Sequence, residues 1–340
     1  AAKVASVFTP IVDVLGAIAT ALVVYLGGTA VLGESMTAGV LIAFVLYVDR
    51  LFDPIRDLSR RFDTLQSTMA GGERILELLN TPIEVQDAAD AREMGPIRGD
   101  VRFENVSFHY SDDPALVLAG IDLDVRAGET VALVGETGAG KTTIVKLLTR
   151  FHDPTAGGVR VDGVDLRTVT QQSLRRQMGM VLQDPFLFNG SVKENILFGR
   201  LGAREEDVVA AAQAVGAHDF IVRLKKGYDT SVEEGGATLS VGQRQLISFA
   251  RALLADPRIL ILDEATSSVD TQTEQIIQKA LATLLKGRTS FVIAHRLSTI
   301  TNANKIVVIH DGKIVEQGTH TELLANQGMY YDLYKTGFQE

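Results

Sequence analysis

Two different hydrophobic patterns divide the chain near residue 81. Residues 14–33 form an uncharged run of twenty residues, and about 20 apolar residues are enough for a helix to cross a bilayer. A second apolar run, residues 39–48, is shorter and can cross only if its helix continues at both ends. We therefore predict a transmembrane helical hairpin. The alternative for this pattern is a buried helical hairpin of a soluble domain.

Charged residues predict how the hairpin is oriented. The short loop carries Glu34 and no Lys or Arg, whereas four arginines follow the second run: Arg50, Arg56, Arg60 and Arg61. Positive charge concentrates on the cytoplasmic side, so both ends are expected in the cytoplasm. Asp13 is the only charge in residues 4–32. It either faces a substrate path inside a helix bundle or is solvated at the membrane interface.

An amphipathic stretch continues from the second apolar run. Its apolar residues recur at three- and four-residue spacing: Ile55, Leu58, Phe62, Leu65, Met69, Leu76 and Leu79. This spacing predicts a helix, and Thr81-Pro82 ends it. Residues 1–81 are thus expected to form a partial membrane domain with a cytoplasmic helical extension. Residues 82–99, rich in Asp, Glu, Ala, Gly and Pro, are expected to be a linker.

Residues 100–340 alternate between strand and helix patterns. Short alternating or continuous apolar segments indicate strands at 101–103, 106–108, 121–125, 130–134, 159–161, 259–262 and 290–294. Helical patterns follow residue 141, cover much of 191–224 and span 271–285. Residues 306–310 and 313–315, joined by Asp311-Gly312, suggest a hairpin. The pattern predicts an α/β domain with a largely parallel core sheet.

Composition narrows the class of protein. The 340 residues are enough for two domains, and 46% hydrophobic content is enough for a sizeable core. No cysteine is present, which excludes disulfides, thiolate metal sites and cysteine catalysis. The net charge of -9 argues against a general nucleic-acid binder.

A glycine-rich segment joins the predicted strand 130–134 to a helix. Residues 135–142, GETGAGKT, fit the phosphate-loop pattern G-x-x-x-x-G-K-[ST]. Its glycines allow successive N–H groups to point at phosphate oxygens, and the helix N-terminus adds partial positive charge. Lys141 supplies a cation for the β- and γ-phosphates, and the Thr142 hydroxyl can bind Mg²⁺. The alternative for so short a motif is a glycine-rich turn without a ligand.

Two acids, Asp263 and Glu264, follow the buried strand 259–262. Ligands of α/β sheets bind at the carboxyl ends of the strands. Asp263 is therefore expected to hold Mg²⁺ through its water shell, and Glu264 to polarise the attacking water. Paired acids after an apolar run are common, so the prediction depends on their combination with the phosphate loop.

Further motifs identify a family. Residues 239–243, LSVGQ, resemble the signature of ATP-binding-cassette (ABC) ATPases. Gln183 resembles the Q-loop glutamine of this family, Asp270 lies in a segment similar to its D-loop, and His295 resembles its switch histidine. Tyr110 matches the aromatic residue that stacks on adenine. The hairpin resembles the last two transmembrane helices of ABC exporters, so the resemblance covers essentially the whole chain.

The resemblance implies an α/β phosphate-loop domain with antiparallel β and α-helical subdomains, which binds ATP and Mg²⁺. The implied catalytic residues are Glu264 as the base, His295 to hold the γ-phosphate and water in line, and Lys141 and Gln183 to neutralise charge. Thr142, Gln183 and Asp263 are the implied metal-site residues. The implied nucleotide contacts are Tyr110, Gly135, Glu136, Thr137, Gly138, Ala139, Gly140, Lys141, Thr142, Thr143, Asp263, Ser240, Gly242, Gln243 and Asp270.

In such exporters two ATPase domains sandwich two ATP molecules, and Ser240 and Gly242 would face the nucleotide of the partner. Exporter subunits have six transmembrane helices, so this chain is expected to represent the C-terminal part of a subunit.

The signature departs from the family at one position: Val241 stands where the family usually carries Gly. A weakened signature beside intact Glu264 and His295 fits a heterodimer with one degenerate site, and a homodimer is equally consistent. Residues 230–236 resemble a segment that senses the membrane domain, or form a charged surface loop.

We therefore expect a multi-pass subunit in the cell membrane, with its ATPase domain in the cytoplasm and with the lipid bilayer, a second exporter subunit and an exported substrate as partners. Two other classes remain as alternatives. A soluble ABC ATPase acting on DNA or ribosomes is disfavoured by the acidic charge and the apolar hairpin. A non-hydrolysing, nucleotide-gated regulator or channel subunit is disfavoured by Glu264 and His295.

Overall fold

A computed structural model describes residues 2–111, 115–236, 238–263, 271–294 and 297–337. The chain divides into two compact units, residues 1–83 and residues 84–340.

The first unit consists of two antiparallel helices, α1 (Ala2–Leu32) and α2 (Ala38–Asn80). Helix α2 joins the second apolar run to the amphipathic stretch without a break, although Pro54 lies inside it. Within the described residues, Pro10–Leu32 is the one helical segment long and apolar enough to cross a membrane. The second run does not meet that test, so the multi-pass arrangement stays a prediction.

Small residues and one ion pair join the two helices of this unit. A Cβ atom on Gly16 would lie 3.4 Å from Nη2 of Arg56, and one on Gly27 would lie 2.4 Å from Cδ1 of Leu41. Arg56 Nε donates to Asp13 Oδ1 at 2.8 Å. Asp13 is thus paired with an arginine of the neighbouring helix, while 54% of its side chain stays exposed.

The second unit alternates strands and helices. Its strands are β1 (Val101–Phe108), β2 (Leu118–Val125), β3 (Thr130–Val134), β4 (Ala156–Val161), β5 (Val164–Asp165), β6 (Met178–Val181), β7 (Gly190–Ser191), β8 (Ser231–Val232), β9 (Ile259–Asp263), β10 (Thr289–Ile293), β11 (Lys305–His310) and β12 (Lys313–Gly318). Its α-helices are α3 (Lys141–Leu148), α4 (Gln171–Arg175), α5 (Val192–Leu197), α6 (Glu205–Ala214), α7 (His218–Ile221), α8 (Val241–Ala255), α9 (Thr271–Leu285), α10 (Leu297–Thr301), α11 (His320–Asn326) and α12 (Met329–Gly337).

The central sheet has six strands in the order β12-β11-β3-β10-β9-β6. All neighbours pair in parallel except β12, which forms an antiparallel hairpin with β11. A hydrophobic core lies on each face, because alternate residues of one strand enter different cores: Ala132 and Val134 one, Val131 and Leu133 the other. Burial of both faces explains why these strands are continuously apolar in sequence.

Two further layers complete the unit. The antiparallel sheet β2-β1-β4-β5 shares its core with helix α3. Helices α5, α6 and α8 pack together in the other core. The helical pattern over residues 191–224 thus becomes three helices, and Gly216, at φ 71°, lies between α6 and α7. The predicted α/β phosphate-loop domain with antiparallel and helical subdomains is confirmed.

Residues 84–99, which we call the strap, contain no helix and lie along the second unit. The backbone N–H of Met94 donates to Ser173 Oγ at 2.8 Å, and that of Ile97 donates to Gln177 Oε1 at 2.9 Å. The guanidinium of Arg150, only 3% exposed, lies 3.3 Å from Asp87 Oδ1. The predicted linker is therefore attached to the domain that it precedes by hydrogen bonds and an ion pair, although most of its residues are exposed.

Candidate active site

The phosphate loop lies between the end of β3 and the start of α3, and two of its glycines are required by their surroundings. Gly135 has φ 152°, and a Cβ there would lie 2.2 Å from the carbonyl oxygen of Ile309 on β11. Gly140 has φ 109°, and a Cβ there would lie 2.6 Å from Leu118 Cδ2. Any side chain at either position would meet both strain and a close neighbour. The loop can therefore curl tightly only with glycine at these points.

Lys141 is the first residue of α3, and its side chain is buried. Its Nζ donates to the carbonyl oxygens of Gly135 and Glu136, each at 2.7 Å. Burial lowers the pKa of Lys141, and the nearby carboxylate of Asp263 offsets part of this shift. The structure thus holds a cation beside the loop and an acid near that cation, a charge arrangement suited to a phosphate and a divalent ion.

Strand register brings distant residues to one edge of the central sheet. Ile293 on β10 pairs with Asp263 at the end of β9, and Val181 on β6 pairs with Leu262. On its other side β10 pairs with β3, with Ile293 opposite Leu133. The carboxyl ends of β3, β6, β9 and β10 therefore meet at this edge, where ligands of α/β sheets bind.

One cavity of about 530 Å³ opens at this edge. Its lining residues are Tyr110, Val117, Thr137, Gly138, Gly140, Lys141, Thr142, Thr143, Gln183, Asp263 and Ile293. The structure thus gathers nine residues that the sequence motifs predicted as site residues. Val117 and Ile293 were not predicted, because each belongs to an apolar strand pattern or its margin and carries no motif. Gly135, Glu136 and Ala139 belong to the loop without lining the cavity.

Tyr110 lines the cavity and is held by its neighbours. Its hydroxyl lies 3.3 Å from Thr143 Oγ1 and accepts from Lys146 Nζ at 3.3 Å. The rings of Phe108 and His152 pack edge-on at centroid distances of 4.9 and 5.2 Å. We call these three rings, Phe108, Tyr110 and His152, the base platform, because they fix an aromatic ring beside the phosphate loop.

The signature residues lie at the start of α8. Ser240 caps this helix: its Oγ accepts from Gln243 N–H at 3.3 Å, and its own N–H donates to Gln243 Oε1 at 3.0 Å. Gly242 is buried, and none of the three lines the cavity. Glu264, Asp270 and His295 lie outside the described residues, so their predicted roles stay predictions.

The residues predicted for the metal are compatible with a hard cation. Thr142, Gln183 and Asp263 line the same cavity and offer a hydroxyl, an amide and a carboxylate. Oxygen donors of this kind suit Mg²⁺, which prefers one or two carboxylates together with substrate phosphates. The donor set therefore fits Mg²⁺ bound with a nucleotide.

Fold and site together define a phosphate-loop nucleotide-binding domain: a parallel sheet, a glycine loop at a helix N-terminus and a cation facing an acid. Comparison with known families then places it more closely, because residues 118–267 match the model described as "ABC transporter". The chain belongs to the ABC transporter family.

Individual relatives support the same placement. The chain is 47% identical over 333 residues, 98% of its length, to the uncharacterized ABC transporter ATP-binding protein YknV of Bacillus subtilis, and covers 55% of that protein. It is 47% identical over 332 residues to the ATP-dependent lipid A-core flippase of Syntrophus aciditrophicus, with coverage of 98% and 55%. It also matches a solved bacterial Atm1-family ABC exporter with ATP bound, at 40% identity and a TM-score of 0.73, covering 97% of this chain and 57% of that one. The chain thus spans about half the length of the curated relatives that it matches.

Proposed function

We propose that this chain forms the C-terminal part of an exporter subunit that hydrolyses ATP to move a substrate across a membrane. The observation that carries the proposal is the single cavity shared by Lys141, Thr142, Gln183 and Asp263 at the carboxyl edge of the sheet. The names of the relatives, which include lipid A-core flippases and a putative multidrug exporter of Bacillus subtilis, support export as the process that hydrolysis drives.

Binding of ATP would use both the phosphate loop and Tyr110. The phosphates would lie in the loop, where backbone N–H groups, the N-terminus of α3 and the ammonium of Lys141 offset their charge. Adenine would stack on Tyr110. The Thr142 hydroxyl, the Gln183 amide and, through water, the Asp263 carboxylate would hold Mg²⁺, which supplies charge neutralisation for phosphoryl transfer.

The hydrolytic step would use residues beyond this cavity. Glu264 follows Asp263 directly in sequence, so it would be placed beside the phosphates to orient or deprotonate the attacking water. His295 follows β10 by two residues and would keep the water and the γ-phosphate in line. Both roles come from the family resemblance.

A second subunit would complete each site. Ser240, Gly242 and Gln243, at the N-terminus of α8, would contact the nucleotide bound mainly by the partner, because partial positive charge there suits an anion. Asp270, in the segment that resembles the D-loop, would be a further nucleotide contact. The partner is either a second copy or a different subunit, and Val241 in the signature fits the second possibility.

The subunit would be a multi-pass protein of the cell membrane, with the ATPase domain in the cytoplasm. Lipid-like or drug-like amphipathic compounds are the export substrates that the names of the relatives favour.

The experiment compares ATP turnover of the full chain in lipid with that of Glu264→Gln. We expect turnover to fall by about 100-fold or more while ATP binding is retained, because general acid–base groups contribute about 10²–10⁴. Glu206→Gln, a change at an exposed acid on α6, is the matched control and should be neutral. Unchanged turnover in Glu264→Gln would refute the catalytic assignment. Activity that rises with protein concentration would favour pairing between copies of the chain.

A further inference from the structure

The strap is attached to the second unit at two places, just after helix α3 and at the base platform. Its third and fourth residues meet Arg150, which follows helix α3: Arg150 Nη2 donates to the carbonyl oxygen of Gln86 at 3.1 Å, and its guanidinium pairs with Asp87. Gln171 adds a second attachment through its backbone N–H to Asp87 Oδ1 at 3.0 Å. Because α3 begins at the phosphate loop, this attachment lies one short helix away from that loop.

The first residue of the strap meets the base platform. Glu84 Oε1 accepts from Ser111 Oγ at 2.7 Å, and Glu84 Oε2 lies 3.5 Å from His152 Nδ1. Ser111 follows Tyr110 directly in sequence, and His152 is one of the rings packed against Tyr110. Glu84 is therefore joined to Tyr110 in two ways, through the chain at Ser111 and through the ring of His152.

Residues 150–152 connect these two attachments. The backbone N–H of Phe151 donates to Lys146 O at 2.8 Å and that of Arg150 to Leu147 O at 3.1 Å, so the segment continues from the end of α3. Arg150 contacts the strap at residues 86 and 87, and His152 contacts it at Glu84. A ligand that orders Tyr110 should therefore also restrict His152 and the start of the strap.

We propose that Glu84 and His152 are positioning residues that couple a base stacked on Tyr110 to docking of the strap. This inference rests on the proposed function, since it requires the cavity to bind a nucleotide. The strap follows helix α2 in the chain, so nucleotide binding would restrain the segment that links the helical unit to the second unit in sequence. Coupling between two sites is reciprocal: a docked strap raises nucleotide affinity by the same factor by which the stacked base stabilises the strap.

The test compares ATP with inorganic tripolyphosphate, which lacks the base and can engage only the phosphate loop. Hydrogen–deuterium exchange of the full chain reports on the strap, because the backbone N–H groups of Arg92, Met94 and Ile97 donate to Thr168, Ser173 and Gln177 of the second unit. In the wild-type chain we expect ATP to slow exchange of these groups about 1.5- to 5-fold more than tripolyphosphate does, the range for a partly exposed charged contact.

Glu84→Gln should make ATP and tripolyphosphate slow the exchange of the strap equally. It should also lower the affinity for ATP by the factor seen in exchange, and leave the affinity for tripolyphosphate unchanged. The side chain of Glu84 is 55% exposed, so the variant should fold. Glu93→Gln, at an exposed acid of the same strap, is the matched control and should behave like the wild type. A double-mutant cycle of Glu84→Gln with His152→Gln should show that the two losses are not additive.

Three results would overturn the inference alone: equal protection by ATP and tripolyphosphate in the wild type, a difference that survives in Glu84→Gln, or strap loosening in Glu84→Gln that is the same with and without nucleotide. If the wild-type chain bound no ATP at all, the proposed function would fail as well. Direct measurement of ATP binding therefore separates the two failures.

Discussion

Two glycines of the phosphate loop offer a test of how closely β11 packs against the site. Gly135 and Gly138 both have positive φ, at 152° and 87°. A Cβ on Gly138 meets nothing within 4 Å, whereas one on Gly135 would lie 2.2 Å from the carbonyl oxygen of Ile309. Gly138→Ala therefore introduces backbone strain alone, and Gly135→Ala adds a steric conflict with a strand of the central sheet.

The magnitudes follow from these two contributions. A residue held in an unfavourable backbone conformation costs about 1–3 kcal/mol, so we expect Gly138→Ala to lower the free energy of unfolding by that amount. Overpacking costs about 1–3 kcal/mol more, because the Ile309 backbone must move by roughly 1 Å to reach an ordinary contact. Gly135→Ala should therefore lose about 2–6 kcal/mol.

Scanning calorimetry of the full chain in detergent measures this difference. For a domain of this size about 1 kcal/mol corresponds to about 2–4 °C in Tm, so Gly135→Ala should unfold about 2–12 °C below Gly138→Ala. Equal Tm values, or a lower Tm for Gly138→Ala, would show that β11 can shift at little cost in free energy and would refute the reasoning.

Three further predictions concern packing, pH and the base platform. Thr289→Val should cost about 1–3 kcal/mol in unfolding free energy, because the buried Thr289 hydroxyl donates to Gly99 O at 2.8 Å. Thr283→Val, at an exposed position of α9, should change it by under about 0.5 kcal/mol, and equal effects would contradict the burial argument. The hydrogen bond from Arg167 holds the pKa of Asp165 below its usual value. The stability that ionised Asp165 contributes is therefore complete above about pH 4 and is lost as pH falls through the lower, folded-state pKa. Asp165→Asn should make the free energy of unfolding depend less on pH in that range, and an unchanged pH dependence would refute this. Tyr110→Ala should weaken ATP binding by about 5- to 150-fold, since stacking of a base is worth about 1–3 kcal/mol, while leaving tripolyphosphate binding unchanged in titration calorimetry; equal losses for both ligands would contradict a stacking role.

Local pattern determined much of the second unit. The predicted strand 130–134 is β3 and the predicted helix 271–285 is α9, with the same boundaries. These segments have a continuous apolar run or a clear helical period, and the glycine motif marks the turn between β3 and α3. Such signals depend on neighbouring residues only, so the sequence by itself specified these elements. Together with the family resemblance, it also predicted nine of the residues that line the cavity.

Contacts between distant residues decided the rest. No local signal states that Ile293 pairs with Asp263, or that Val117 would line the cavity. The strap has a linker-like composition, yet it is docked because Arg150, far away in sequence, is buried with its guanidinium toward Asp87. The Asp13–Arg56 pair likewise depends on how α1 and α2 meet. Sequence period sets which face of an element is apolar, but strand order, register and the pairing of charges arise only when the chain packs, because they depend on residues that are far apart along it.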